Sequence, residues 1–265
     1  MSFSLCKKGA LEYWACDGLR GTVHGFSTRL GGVSQGYLSS LNLGAHRGDA
    51  PENVVKNYEI LGNSLGFSPE DTVFAKQLHT GIVRRVGRAD RGAGLFRPVE
   101  EPRDGLVTNE PGVALTIFSA DCTPILFYDP TVQAIGGCHA GWRGTAAGIA
   151  KNTVEAMVRE FGSDPGNIRA AIGPCIGPCC FETHSDVPEA MSEALGQEAW
   201  AAMERLENGK FRVDLKALNA LWLKRAGVRD VSVCPDCTAC RRDRYWSHRI
   251  VGGQRGSMAN IIMLK

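Results

Sequence analysis

The chain contains no run of about 20 apolar residues, the length a membrane-spanning helix needs, so no membrane partner is expected. It also lacks any block of like charge: 30 Lys and Arg against 28 Asp and Glu leave a formal net charge of +2, spread along 265 residues. Without a basic tract a nucleic-acid partner is not expected, and without an acidic tail there is no solvated arm. No fixed-period repeat and no low-complexity linker breaks the chain. The opening stretch MSFSLCKKGALEYWACDGL has two lysines, but Glu12, Cys16 and Asp17 interrupt its apolar residues, which does not fit a secretory signal. The expected location is the cytoplasm.

What is present is globular in character. The hydrophobic fraction is 43% and the charged fraction 22%, both near the average for folded domains. The length allows a substantial core. Nothing in the sequence fixes the oligomeric state. Ten cysteines are many for a cytoplasmic protein. With no export signal, reduced thiols and a metal site are better expectations than a disulfide framework, and most of the ten are expected to act as small buried hydrophobes.

Short strands and a few helices alternate along the chain. RGTVHGFSTR reads as a strand leading into the Gly/Ser-rich turn LGGVSQG. APENVVKNYEILGNSLG reads as a helix, with Pro51 in its first turn and Val54, Val55, Tyr58, Leu61 and Leu65 at helical spacing. DTVFAKQLHTGIVRRV reads as two strands broken near His79. DGLVTN, VALTIFSA, PILFYD and VQAIGGC give four more, whose apolar residues run together, as in strands covered on both faces. A helix is predicted over TAAGIAKNTVEAMVREFG, capped by Thr145, with Ala146, Ala150, Val154, Met157 and Phe161 on one stripe and Gly162 at its end. NIRAAIGP, VRDVSVCP and ANIIML read as strands. SDVPEAMSEALGQEAWAAMERL and DLKALNALWLKRAG read as helices. The expected class is α/β: a single layered domain, residues 1–265, with mixed β-sheets covered by helices.

Three residues stand at the edges of predicted strands, each in a polar or glycine-bearing turn: His79 in KQLHTG, Cys122 in SADCTP and His139 in CHAGWRG. Two imidazoles and one thiolate suit Zn²⁺, which in catalytic sites takes three protein ligands and leaves the fourth position to water or substrate. The thiolate favours zinc over magnesium or calcium. The turn GWRGT opens a helix whose free N–H groups are suited to phosphate, and Arg143 is suited to an oxyanion. The competing reading is that Trp142 and Arg143 only pack and cap. Lys76 and Gln77 precede His79 and, on a strand, point to opposite faces, so one of them at most is expected beside it.

ADCTPILFYDP, GGCHAGWRGT, AIGPCIGPCCFE, STRLGGVS with NLG, and SHRIVGGQRGSMANII together resemble one family, over nearly the whole chain from about Gly25 onward. It is known as the laccase-domain or polyphenol-oxidase-like family, the peptidoglycan editing factor, and the purine nucleoside phosphorylase of the human laccase-domain type. The resemblance implies a single α/β domain, distantly like the bacterial toxin deamidases. It implies that His79, Cys122 and His139 bind a catalytic zinc, with copper a less favoured metal, and that the segment carrying Arg29 lines the pocket. Arg29, Gln77 and Arg143 are the expected substrate-binding residues. The family's YSYRR segment is YWSHRI here: His248 and Ile250 depart from it, while Ser247 and Arg249 persist.

The implied activity is zinc-dependent phosphorolysis of adenosine, inosine and methylthioadenosine, with deamination of adenosine, so nucleosides and phosphate are the expected partners. Other readings stay open. In an amidase that edits peptidoglycan precursors, Cys122 would be the nucleophile and His139 its base, without metal. A copper-dependent polyphenol oxidase is less favoured, since clusters of His-x-His pairs would be needed and the six histidines form none. A nucleotide-binding regulator without turnover is the non-enzymatic alternative. CPDCTAC sets Cys234, Cys237 and Cys240 at zinc-like spacing, but a structural zinc wants four ligands and no fourth is obvious, His248 being one candidate; buried or turn thiols are preferred. Cys175, Cys179 and Cys180 are expected to shape a wall of the pocket. His24, His46 and His184 are expected to be structural or surface residues.

Overall fold

A computed structural model describes residues 2–265. Strands β1 (Phe3–Lys8), β2 (Leu11–Cys16) and β3 (Thr22–Ser27) form a meander, followed by helix α1 (Pro51–Leu65). Strands β4 (Thr72–Phe74), β5 (Val83–Arg85), β6 (Gly105–Thr108), β7 (Ala114–Ser119), β8 (Thr123–Asp129) and β9 (Ala134–Ala140) fill the middle of the chain. Helices α2 (Trp142–Ala146) and α3 (Ile149–Phe161) lead to β10 (Arg169–Ile172). Then come β11 (Glu182–Thr183), α4 (Asp186–Leu195), β12 (Met203–Arg205) and β13 (Phe211–Val213). Helix α5 (Leu215–Arg225), β14 (Asp230–Val233), α6 (His248–Val251) and β15 (Met258–Leu264) close the chain.

Two six-stranded mixed sheets, ordered β1-β2-β3-β15-β7-β4 and β14-β10-β8-β9-β6-β5, stack face to face. Their inner faces share a core: Leu115, Ile117, Ile262 and Leu264 from one meet Leu106, Leu126, Tyr128 and Ile135 from the other. Helix α1 covers the outer face of the first sheet through Val54, Tyr58 and Leu61. Helices α3 and α5 cover the outer face of the second, where Val154, Met157 and Leu223 pack on Ile125 and Phe127. The layers therefore run helix, sheet, sheet, helix. This explains why β7, β8 and β15 are apolar runs rather than alternating patterns: neither face meets water. A small sheet, β11-β13-β12, with α4 forms a further core around Met191, Val213 and Leu218. No helix among the described residues is long and apolar enough to cross a membrane.

The structure corrects the sequence reading in three places. The segment before Thr22 forms two strands, β1 and β2, paired with each other from Phe3↔Cys16 to Lys8↔Leu11. The helix predicted to start at Thr145 starts at Trp142, breaks at Gly148 (φ 70°) and resumes as α3; Thr145 is buried and accepts a hydrogen bond from Asn219 Nδ2 instead of capping. The helix predicted through residue 206 stops at Leu195, where Gly196 takes φ 66°, and a 3₁₀ stretch leads into β12. Each break falls where a residue without Cβ allows a left-handed backbone.

Helix α3 gives a direct check on the layering. Met157 is fully buried and its neighbour Val158 is 39% exposed. Met157→Ala should lower the unfolding free energy by about 2–5 kcal/mol, whereas Val158→Ala should change it by less than about 0.5 kcal/mol. Denaturant titration of both variants measures this; equal losses would mean that α3 does not present this face to the second sheet.

Candidate active site

A cavity of about 840 Å³ opens beside the ends of the two sheets, and His79, Cys122 and His139 all line it. The size suits a small-molecule ligand. The three side chains come from separate places: the loop between β4 and β5, the residue just before β8, and the end of β9.

One carboxylate organises the two histidines. Asp104, fully buried just before β6, accepts hydrogen bonds from the backbone N–H of Leu78 (3.1 Å), His79 (3.0 Å) and Thr80 (2.8 Å), and from Thr80 Oγ1 (2.8 Å). These bonds wrap the loop around the carboxylate and hold His79 at φ 62°, in the left-handed region. The same carboxylate receives His139 Nδ1 at 2.9 Å, and the Asp104 carbonyl receives the His139 N–H at 2.8 Å. Nδ1 is thereby committed, which leaves Nε2 to face the cavity.

A second buried carboxylate fixes the thiol. Asp121 sits at φ 90°, immediately before Cys122. Its side chain accepts from Thr238 Oγ1 (2.6 Å), Ser247 Oγ (3.0 Å) and the Arg249 N–H (2.7 Å), and its carbonyl accepts from the Ile176 N–H (2.9 Å). Ser247 and Arg249 thus brace the thiol from behind. Cys122 Sγ then lies 3.8 Å from His79 Nε2, and the ligand atoms of Cys122, His79 and His139 lie within 4.8 Å of one another.

Charge is distributed to match. Burial would raise the Asp104 carboxyl, but the hydrogen bonds from His139 and Thr80 outweigh it and hold it at about 2. Burial would likewise raise the Cys122 thiol; the charge and hydrogen bond of His139, with those of His79, bring it down to about 6. For His139 burial lowers and the Cys122 and Asp104 charges raise, leaving it at about 9. Cys138, the preceding residue on the opposite face of β9, has no such neighbours, and burial pushes it up to about 12.

The three residues fit a metal ion. They supply two nitrogens and one sulfur from rigid elements, with His139 oriented by a carboxylate behind it. Gly141 keeps the space between them open: a Cβ there would come within 2.7 Å of His79 Cδ2 and 3.0 Å of Cys122 Sγ. Nitrogen and thiolate donors also match the softness of zinc.

The cationic residues at the cavity differ from those expected. Arg29 does not line it: its guanidinium lies 3.8 Å from the centre of the Trp246 ring and donates to the carbonyls of Ser39 and Arg242. Arg143 does not line it either, and stacks on the neighbouring Trp142 ring at 4.1 Å. The cavity is instead lined by Arg97, which donates to the carbonyls of Ala89 and Arg91, and by the pair Arg47 and Arg255. Arg255 is buried; its Nη1 donates to Gly256 O, while its Nε has no hydrogen-bond partner among the described residues. Burial, and then the charge of Arg47, bring Arg255 down to about 10. Neither arginine makes an ion pair among the described residues.

Gln77 and Lys76 both reach the cavity, because β4 ends at Phe74 and strand alternation no longer applies. Gln77 spends both ends of its amide on the backbone of Phe118, at 2.9 and 2.7 Å. His46, read as structural, lines the cavity too. His24 holds the Cys16 N–H at 3.0 Å, as a structural residue does. Cys175, Cys179 and Cys180 form no part of the cavity wall. Cys179 and Cys180 gather with Cys237 and Cys240, which corrects the reading of CPDCTAC as lacking further ligands, while Cys234 is buried apart from them. Asp104, Asp121, Arg47 and Arg255 were missed in the sequence. Their only local signal is a charged residue directly beside an apolar run or a glycine.

A family described as multi-copper polyphenol oxidoreductase laccase matches residues 23–265. The purine nucleoside phosphorylase YlmD of Geobacillus stearothermophilus is 38% identical over 91% of this chain and 90% of its own. The human purine nucleoside phosphorylase LACC1 is 32% identical over 92% of this chain and 56% of its own length. Among solved structures, the hypothetical protein YfiH of Bacillus licheniformis superposes with a TM-score of 0.93 at 35% identity, covering 99% of each chain. With its fold and the match over almost its whole length in agreement, the chain belongs to this laccase-like family.

Proposed function

We propose that this protein is a zinc-dependent purine nucleoside phosphorylase acting on adenosine, inosine and methylthioadenosine, with adenosine deaminase activity at the same site. The observation that carries this reading is the pairing, in one cavity, of the His79–Cys122–His139 trio with the guanidinium groups of Arg47 and Arg255, neither of which has a carboxylate partner. A nucleoside and phosphate together present an aromatic base and an anion. Phe118 and Phe96 line the cavity and offer ring faces to the base. Arg47 and Arg255, rather than Arg29 and Arg143, offer the cationic cradle for phosphate.

In phosphorolysis a phosphate oxygen bonds to C1′ as the bond from C1′ to the purine nitrogen breaks. The electron pair leaves with the base, which takes up a proton, and ribose 1-phosphate results. Arg47 and Arg255 hold the phosphate oxygens and offset their charge as they approach the sugar. Gln77, locked on the Phe118 backbone, fixes the wall against which the base lies. Asp104 holds the His79 backbone in place and fixes the ring of His139. Zinc, when bound by His79, Cys122 and His139, supplies a Lewis acid at the floor of the cavity.

One observation favours a second reading, a metal-free Cys–His amidase. Asp104, His139 and Cys122 stand in the order orienting acid, base and nucleophile. Dependence of activity on zinc separates the two.

Cys122→Ala, His79→Ala and His139→Ala should each stay folded, lose one metal ion per chain and lose turnover. Gly141→Ala should do the same without removing a ligand, because its Cβ occupies the space between them. Elemental analysis beside an adenosine assay tests all four. Full metal and full turnover in any of the three ligand variants would remove that residue from the site, and activity that survives complete loss of metal would favour the amidase.

Arg255→Ala removes a charge-assisted contact of about 1.5–3 kcal/mol, so phosphate-dependent adenine release should fall roughly ten- to a hundredfold. Arg29→Ala and Arg143→Ala should fall far less. Deamination does not consume phosphate, so the ratio of inosine to adenine should rise in Arg255→Ala. Chromatography of the products decides it: adenine and free ribose formed equally well without phosphate would make the enzyme a hydrolase and remove the phosphate role from Arg255.

A further inference from the structure

Behind the catalytic thiol lies a second group of metal-ligating side chains. The sulfurs of Cys179, Cys180, Cys237 and Cys240 all lie within 4.8 Å of one another. Cys240 Sγ is 3.5 Å from Cys179 Sγ and 3.4 Å from Cys180 Sγ. Tetrahedral zinc with bonds of about 2.3 Å holds its sulfurs about 3.8 Å apart, so the four need only small movements to enclose an ion. Two segments distant in sequence deliver them: the Cys-Cys pair just before β11 and the Cys-x-x-Cys between β14 and α6.

The two segments are registered by their backbones. Cys175 and Cys237 form an isolated bridge, and Thr238 N–H donates to Cys175 O at 3.1 Å. The Gly177 N–H donates to Cys237 Sγ at 3.1 Å, an arrangement that stabilises charge on a thiolate sulfur. Exposure also sets this group apart. Cys175 and Cys234, in the same segments, are fully buried, as cysteines usually are, whereas Cys179 and Cys240 are exposed and face each other. A disulfide joins sulfurs only in pairs, whereas a metal ion takes all four sulfurs at one point.

We propose that Cys179, Cys180, Cys237 and Cys240 bind a second metal ion, zinc, in a closed all-sulfur site separate from His79, Cys122 and His139. Four soft donors exclude magnesium and calcium, and a complete set of protein ligands marks a structural rather than a catalytic ion. Its place fits that role. Both segments it joins end on Asp121, through Ile176 N–H on the carbonyl and Thr238 Oγ1 on the carboxylate. Cys180 and Cys237 also pack against the core of the small sheet.

The test is metal counting on the full chain purified without chelator. Wild type should hold about two zinc ions, Cys179→Ser/Cys240→Ser about one, and His139→Ala about one. A second measurement that does not depend on the folding of the double serine variant uses His139→Ala, in which the four cysteines are intact. Loaded with cobalt, it should show the intense thiolate-to-cobalt absorption of a tetrahedral four-sulfur site, and the four thiols should react with Ellman's reagent only after the metal is removed. A single zinc in wild type that disappears in His139→Ala would overturn the proposal. So would a Cys240 disulfide found in intact protein by peptide mass, or immediate reaction of all four thiols in metal-loaded protein.

Discussion

The hydrogen bonding of the buried Asp104 carboxylate is the interaction on which the rest of the site depends. A charge taken out of water must be compensated by hydrogen bonds in full, and Asp104 receives them from Leu78, His79, Thr80 and His139. Each of those bonds also places something. Three wrap a loop that would otherwise be free to move, one fixes the ring of His139, and the loop wrapping forces His79 into a backbone region that a β-substituted residue enters only under constraint. Neither the His139 ring nor the His79 backbone could turn away without stripping a partner from a buried carboxylate.

The same logic repeats at Asp121, and the sheets make both possible. Asp104 precedes β6, Cys122 precedes β8 and His139 ends β9, and these three strands are neighbours in one sheet buried on both faces. Close packing lets such strand ends move little. Three side chains brought from distant parts of the sequence can then converge to within a few ångströms and hold that geometry. The glycines of GWRG serve the same end by omission: Gly141 leaves empty the volume a side chain would fill.

How much of this could be read beforehand follows from how local each signal is. The apolar runs of β7, β8 and β15 declared strands covered on both faces, and the 3.6-residue stripes of α1 and α3 declared their buried sides. His79, Cys122 and His139 stood out because reactive residue types sit in polar turns beside apolar runs. The arginines did not follow. Arg29 and Arg143 were chosen for their glycine-bearing turns, yet each finds an aromatic ring within reach, Trp246 for one and Trp142 for the other, and lies flat on it. Arg47 and Arg255 look no different in sequence. What distinguishes them is that both line the cavity, a property of the folded surface alone. CPDCTAC failed for a related reason: its partners lie some 60 residues earlier, and only the Cys175–Cys237 bridge brings them together.

The electrostatics of the cavity bear on which chemistry it can support. With Cys122 as a thiolate, His139 as an imidazolium and Asp104 ionised, the buried triad carries one net negative charge, before Arg47, Lys76, Arg97 and Arg255 add positive ones at the same cavity. An ion of charge +2 held by the trio would displace the His139 proton that faces it and make the cavity floor more positive still. An anionic ligand would then balance both the ion and the paired arginines, which otherwise repel each other in a partly buried place. Neutral phenols bring no such charge, and a neutral peptide bond brings none until its transition state. Phosphate would bring it in the ground state, to a cavity that both arginines line. On the proposed function, charge balance would tie the His79–Cys122–His139 trio and the arginine pair into one site, with an anion between them.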